Sequence, residues 1–387
     1  MGQSWERAVK APDRNGHLPL AGRARVISIG TALPANRVEN AQIEGFLDTS
    51  DEWIQSRTGI RERRVAEGDT TLLDLALRAA RAALSAGGRA PAEVDTILCS
   101  SSSPDSTFPS LACRLQAALG CPPQAAFDIQ AACSGAVYGL ALATALIEAG
   151  MSRLVLLVNA EIFTRVVDWS DRSTAVLFGD GAGALLVGPA EGTGAEILLS
   201  TLGADGGGAW ALNTVPAPEL PPGAARPAYT ASPRALDRVI QMNGREVFRF
   251  STKILEQVVN GLVESAGITL DDLSLIVPHQ ANSRILATAA GRLGLPMERF
   301  ASNVERMGNT SSASIPLALA EAARDGRCHE GELLCLVAFG AGLTWGGTLL
   351  RWQPTPVVID DPAAGDVPLA AGGPVERGRS RDEEGGR

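Results

Sequence analysis

The sequence has few lysines, histidines and aromatic residues. Lysine occurs only at Lys10 and Lys253, so nearly all the positive charge is arginine; there are three histidines, and aromatics make up 4% of 387 residues. No apolar run approaches the roughly 18 residues a membrane span needs. The polar start lacks the apolar stretch of a secretion signal. Together these lead to the expectation of a soluble, cytoplasmic protein. The six cysteines (Cys99, Cys113, Cys121, Cys133, Cys328, Cys335) include no CxxC pair and no accompanying His cluster. That argues against a metal site and against a disulfide framework. With 43 acidic and 34 basic side chains the net charge is −9, which disfavours a general binder of nucleic acid or of anionic membranes and leaves room for a local basic patch.

What is present is ordinary globular material, 45% hydrophobic and 20% charged, and enough of it for two modest domains. Residues 1–22 are polar and aperiodic and read as a disordered arm. From Pro354 to the end, proline, glycine and charge dominate, and 354–387 reads as a disordered tail. The stretch 204–233 is rich in Pro and Gly and reads as an irregular connection. The ordered body then divides into 23–203 and 234–353.

Within that body strands and helices alternate. The runs 24–30, 94–100, 153–160 and 175–187 are short and aliphatic, as buried strands are. The segments 72–87, 110–119 and 134–150 have helical spacing and end at or near Gly. This is an α/β pattern. It also repeats. A helix, a Ser-Ala-Gly stop, an acidic connection and an apolar strand occur once around Gly87 and again around Gly267, 180 residues apart. Leu-Ala-Leu-Ala recurs at 140 and 317, a similar offset. A duplicated α/β unit is expected.

Three side chains stand out against this background. His279 follows the strand LSLIV and Pro278, at a strand C-terminal end where functional groups gather in open α/β sheets. A core histidine satisfied by backbone is the plain alternative. Cys133, in DIQAACSGAVYGL, falls at the first turn of a helix, where the helix dipole and free N–H groups favour thiolate. The other cysteines read better as small buried hydrophobes. Asn309, in MGNTSSASIP, opens another helix and would pass for a cap. If the halves correspond, however, it stands where Cys133 stands in the first, and a pseudo-twofold brings both helix starts to one centre. A thiolate, a His and an Asn converging there imply thioester chemistry. The Gly-rich turn in VAFGAGLTWGG supplies N–H groups for an oxyanion.

The segments DEWIQSRTGIRERR, STFPSLAC, ACSGAVYGL, DRSTAVLFGDGAGA, MNGREVFRF, VPHQANSRI, GNTSSASIP and FGAGLTWG, in this order over about 24–352, resemble the β-ketoacyl-acyl-carrier-protein synthase III family of thiolase-fold condensing enzymes. The resemblance implies duplicated halves in a layered αβαβα arrangement with mixed five-stranded sheets. It implies that Cys133 takes an acyl group from acyl-CoA, that malonyl-acyl carrier protein loses CO₂, and that the carbanion attacks the acyl-enzyme, initiating fatty-acid or polyketide synthesis. His279 and Asn309 would hold the enolate, and the N–H groups of Cys133 and Ala341 the tetrahedral oxyanion. Many members have glycine where Ala341 stands, so the hole requires a negative φ there. No cofactor is implied, because acyl-CoA is a substrate.

Trp53, Arg57, Arg172 and Asn282 would bind CoA. Phe108 would cross a homodimer interface to floor the acyl pocket, which implies a short primer, acetyl to pentanoyl. Arg249, Arg284 and Lys253, with Arg245 and Arg292 nearby, would form a landing patch for an acidic carrier protein. An acyltransferase of the same fold, moving the acyl group to another nucleophile without condensation, is the alternative; the His279–Asn309 pair argues against it. A thiolase would need a second cysteine near the Gly-rich turn, and 338–345 has none.

Overall fold

The computed structural model of the chain describes residues 23–218 and 238–363. The arm 1–22 and the tail beyond 363 lie outside these residues. So does 219–237, which takes in half of the expected irregular connection 204–233; the other half is not irregular but holds a 3₁₀ helix, Gly206–Ala211, and a strand, Leu212–Pro216.

The strands are β1 (Ala24–Ala32), β2 (Arg37–Glu39), β3 (Glu62–Arg64), β4 (Thr96–Ser100), β5 (Ala125–Ile129), β6 (Val155–Ile162) and β7 (Asp180–Pro189). They continue as β8 (Ala195–Ala204), β9 (Leu212–Pro216), β10 (Arg238–Met242), β11 (Leu273–Pro278), β12 (Leu333–Gly340), β13 (Thr344–Arg351) and β14 (Val357–Asp360). The helices are α1 (Asn40–Glu44), α2 (Asp51–Thr58), α3 (Leu72–Ala86), α4 (Leu111–Leu119) and α5 (Gly135–Glu148). After them come α6 (Arg172–Ala175), α7 (Gly244–Ala266), α8 (Ser283–Leu293), α9 (Val304–Met307) and α10 (Ser314–Arg324).

One mixed sheet runs in the order β11-β12-β13-β8-β1-β7-β6-β4-β5. Its two ends are the expected mixed sheets, and they meet where β1 pairs with β8 over only Ala24–Val26. Three apolar clusters set the layers. Helices α3 and α4 pack on β4, β6 and β7. Helices α5 and α10 lie in the middle, among strands of both halves. Helices α7 and α8 pack on β11, β12 and β13. Every residue of β6 is buried because helices cover both its faces.

The elements begin and end on local chemistry. In α3, Thr71 and Asp74 form a reciprocal cap, and α7 ends at Gly267 with φ 66°. Glycine also sets the interlayer spacing: a Cβ on Gly30 would lie 2.1 Å from the Ala83 backbone nitrogen. So α3 rests directly against β1.

The repeat is visible in detail. Helix α3, a 3₁₀ turn at Pro91–Glu93 and β4 are matched by α7, a 3₁₀ turn at Leu270–Asp272 and β11. Helices α5 and α10 each follow a 3₁₀ turn, Ala132–Ser134 and Ser311–Ala313. Ala132 (φ 48°) and Ser311 (φ 49°) are the non-glycine residues with positive φ among those described.

Three expectations need correction. The strand anticipated from 175 starts at Asp180, because 172–175 is helical and Leu177 and Gly179 bond instead to the backbone of Asn309. Strand β8 runs across the anticipated boundary at 203 and pairs along its length with β13 of the second half. Order also continues past 353. Strand β14 pairs in parallel with Ile29–Ala32 of β1, the part of β1 that β8 leaves open. Asp360 pairs with Arg78 through both oxygens, and Asp361 pairs with the buried Arg64.

Candidate active site

Cys133 lies in the 3₁₀ turn entering α5, and Ala132 before it takes the left-handed conformation that makes the turn sharp. Two glycines let backbone close around the thiol. A Cβ on Gly340 would fall 2.7 Å from the Cys133 nitrogen, and one on Gly135 1.9 Å from Ser100 Oγ. The residue is 8% exposed, and its Sγ is 3.3 Å from Ser311 Oγ, across the pseudo-twofold. Burial pushes the thiol up to about 12; the Ser311 hydroxyl offsets part of this, and the Glu161 charge adds to it. Burial thus works against the thiolate that the helix start favours.

His279 begins at the end of β11, its N–H bonded to the Val337 carbonyl at 2.8 Å. It is 1% exposed, and its ring meets Phe339 edge-on at 5.2 Å. Nδ1 is 2.7 Å from Ser314 Oγ, which also accepts the Gln280 N–H. Nε2 is thus the nitrogen left for a ligand. Burial lowers this ring to about 3, against a smaller opposing hydrogen bond at the Ser311 backbone. The imidazole is neutral at ordinary pH.

Asn309 is fixed by its backbone, bonded to Leu177 and Gly179 on the turn before β7. Its Oδ1 accepts the Ser311 N–H at 2.8 Å, which leaves its NH₂ for a ligand.

One cavity of about 1110 Å³ is lined by Cys133, His279, Asn309 and Ala341. Ala341 does not share the positive φ of Ala132 and Ser311, and so meets the condition set for it. Trp53, Arg57, Arg172, Asn282 and Arg284 line the same cavity. The Arg172 guanidinium sits 4.7 Å over the Trp53 ring. Asn282 caps α8 through its Oδ1 and donates to the Arg57 carbonyl.

Some anticipated residues stand apart. Phe108 is 84% exposed and does not line the cavity of its own chain. Arg249 and Lys253 do not line it either; Arg249 pairs with Glu246 at 2.6 Å, and Arg292 with Glu256 at 3.1 Å. Arg245 does line it, and Arg284 sits 5.6 Å over Phe248. Among the described residues no cluster of His, Cys, Asp and Glu could hold a metal ion, and no helix is long and apolar enough to cross a membrane.

Two residues at this site escape sequence reasoning. Ser311 looks like one more serine in a polar turn. Glu161 is fully buried beside the Ser312 and Ser103 hydroxyls, at 2.7 Å from each. Its signal was present, as a lone acid inside the apolar run VLLVNAEI.

Comparison with known proteins agrees with this geometry. Residues 127–206 match the family described as 3-oxoacyl-[acyl-carrier-protein] synthase III, and 263–352 match its C-terminal part. The β-ketoacyl-[acyl-carrier-protein] synthase III of Symbiobacterium thermophilum is 45% identical over 331 residues, 84% of this chain and 97% of the relative. The crystal structure of 3-oxoacyl-[acyl-carrier-protein] synthase III from Aquifex aeolicus superposes with a TM-score of 0.77 at 40% identity, covering 85% of this chain and all of that one. The priming β-ketosynthase of a polyketide biosynthetic pathway gives 0.76 at 35% identity, over 88% and 99%.

Proposed function

The chain belongs to the β-ketoacyl-acyl-carrier-protein synthase III family, and on that premise we propose that Cys133, His279 and Asn309 carry out its reaction. The enzyme condenses an acyl primer from acyl-CoA with malonyl-acyl carrier protein, releasing CoA and CO₂ and forming a β-ketoacyl product that begins a fatty-acid or polyketide chain. The observation that supports the residue roles is the one cavity that collects a buried thiol, an unengaged ring nitrogen and an unengaged amide NH₂.

In the first half-reaction Cys133 Sγ bonds to the acyl carbon and the bond to the CoA sulfur breaks. The Cys133 and Ala341 N–H groups hold the oxyanion between these events. In the second, loss of CO₂ places negative charge on the malonyl thioester oxygen. A neutral His279 suits this, because it donates from Nε2 without delivering its proton. The Asn309 NH₂ donates beside it, and the carbanion attacks the acyl-Cys133 carbonyl.

For the primer, Trp53 stacks with the adenine against Arg172, Arg57 meets phosphate, and Asn282 orders the α8 start along the pantetheine arm. Arg249, Arg284 and Lys253 receive the acidic carrier protein. The protein works as a homodimer in the cytoplasm. Phe108 and the exposed edge strand β5 are the surface a second copy covers, and Phe108 there shortens the acyl pocket.

Incubating the protein with a mixture of acyl-CoAs and weighing it reads the primer as an added mass on Cys133, short acyl groups being expected. Malonyl-carrier protein should then discharge that mass with release of CO₂. A discharged product that keeps its carboxyl group would favour transfer without condensation.

A further inference from the structure

Cys133 Sγ carries charge twice in the reaction proposed above, when it attacks the primer thioester and when it is expelled from the acyl-enzyme. His279 and Asn309 are assigned to the enolate and backbone N–H groups to the tetrahedral oxyanion, so the sulfur itself still needs a partner. Its surroundings oppose a thiolate. Burial pushes the thiol up to about 12, and the Glu161 charge, facing it from β6, works in the same direction. The imidazole that shares the cavity, His279, is neutral and supplies no countercharge.

Among the described residues, the side chain within hydrogen-bonding distance of Sγ is Ser311, whose Oγ lies 3.3 Å away across the pseudo-twofold. A thiolate has no hydrogen to donate, so in that state the bond runs from the Ser311 O–H to the sulfur. The hydroxyl is not what shapes the turn. Ala132 opens the matching turn of the first half with φ 48°, against 49° for Ser311, and carries no hydroxyl. The Ser311 backbone N–H is engaged separately, by Asn309 Oδ1 at 2.8 Å. Residue 311 thus serves two reacting groups: its N–H fixes Asn309, and its O–H reaches the sulfur.

We propose that Ser311 is a further catalytic residue, whose hydroxyl donates a hydrogen bond to the Cys133 thiolate as it attacks and as it leaves. This rests on the acyl-transfer reading above. When the malonyl group loses CO₂, the electron pair of the broken bond forms the new C–C bond to the acyl carbon. The C–S bond to Cys133 then breaks and its pair stays on Sγ, beside the Ser311 O–H. The charge of the malonyl carboxylate has become that of the thiolate. In the next acylation that pair forms the S–C bond, the C–S bond to CoA breaks, and the charge departs on the CoA thiolate. Ser311 keeps its proton throughout. A thiol at rest gives its proton to water before the first attack.

The test compares the wild type with Ser311→Ala and Ser311→Gly. Alanine takes this backbone at residue 132, and glycine takes it freely, so each removes the hydroxyl and keeps the turn. Alkylation of Cys133 by iodoacetamide and single-turnover acetylation by acetyl-CoA are both followed by mass at about pH 8. Each should be at least about tenfold slower in both variants, as loss of a hydrogen bond to a charged group implies. Alkylation of the exposed Cys113 should not change. Once fully acetylated, the variants should release CO₂ from malonyl-carrier protein within about twofold of the wild-type rate, because Asn309 keeps its bond to the N–H of residue 311. If Ser311 served only to shape the turn, Asn309 would shift and CO₂ release would fall as far as acylation. Reaction of Cys133 that is unchanged or faster, or equal loss in both half-reactions, overturns the role of the hydroxyl. A wild type that takes up no acetyl group overturns the acyl-transfer reading itself.

Discussion

At the scale of single residues, the roles proposed for His279 and Asn309 follow from which of their atoms are already engaged. The ring of His279 and the amide of Asn309 each have one side held by serines of the 311–314 turn and one side open. Their→Ala variants should each slow CO₂ release about 10²–10³-fold while Cys133 still takes up acyl groups, as measured in the two half-reactions separately. Burial also gives His279 a stability signature. Its folded pKa of about 3 lies below the 6.5 of an ordinary imidazole, so the unfolded chain binds the proton more readily between them. Stability should fall as pH drops from about 6.5 towards 3, and a His279→Gln variant should show a shallower fall in denaturant titrations. These three side chains were legible because they are unusual for their surroundings: a histidine at a strand end, a cysteine at a helix start. The burial that pushes the Cys133 thiol up was not legible, because residues of the second half such as Ser311 and Gly340 close around it and no local pattern contains them.

At the scale of elements, the sequence marked where strands and helices lie better than where they stop. Residues 175–179 have strand composition, yet Leu177 and Gly179 bond to Asn309 and so fix the turn that presents it. The end of the chain was misread for a related reason. A four-residue strand with little apolar neighbourhood looks like tail until β1 offers an open edge. Strand β14 is then tied down by Asp360 on Arg78 and Asp361 on the buried Arg64. Replacing Asp361 with Ala would leave that guanidinium, among the described residues, with the Pro34 carbonyl as its remaining hydrogen-bond acceptor. A loss of about 3 kcal/mol is expected, read as a lower denaturant midpoint with an unchanged slope.

At the scale of the whole molecule, the duplication was readable from two offsets, and its consequence is that the candidate site forms where the halves meet. Matching turns carry residues 132 and 311 in the same rare conformation, and the Cys133–Ser311 contact joins the halves at that point. The joining of two sheets into one through Ala24–Val26 could not be read from sequence, since it depends on how the layers stagger. Assembly belongs to this scale as well. Sedimentation should show a dimer, and Phe108→Asp should shift it towards monomer and alter the preferred primer length. A monomeric wild type would remove Phe108 from the pocket.

The exposure of the cysteines sets how this enzyme ages. Cys133 is closed in, and burial pushes its thiol up, whereas Cys113 stands in solvent on α4. Oxidants attack accessible sulfur first. Stored without reductant, the protein should accumulate damage at Cys113 while Cys133 stays intact, so peptide mapping after dilute peroxide would find oxygen there long before turnover declines.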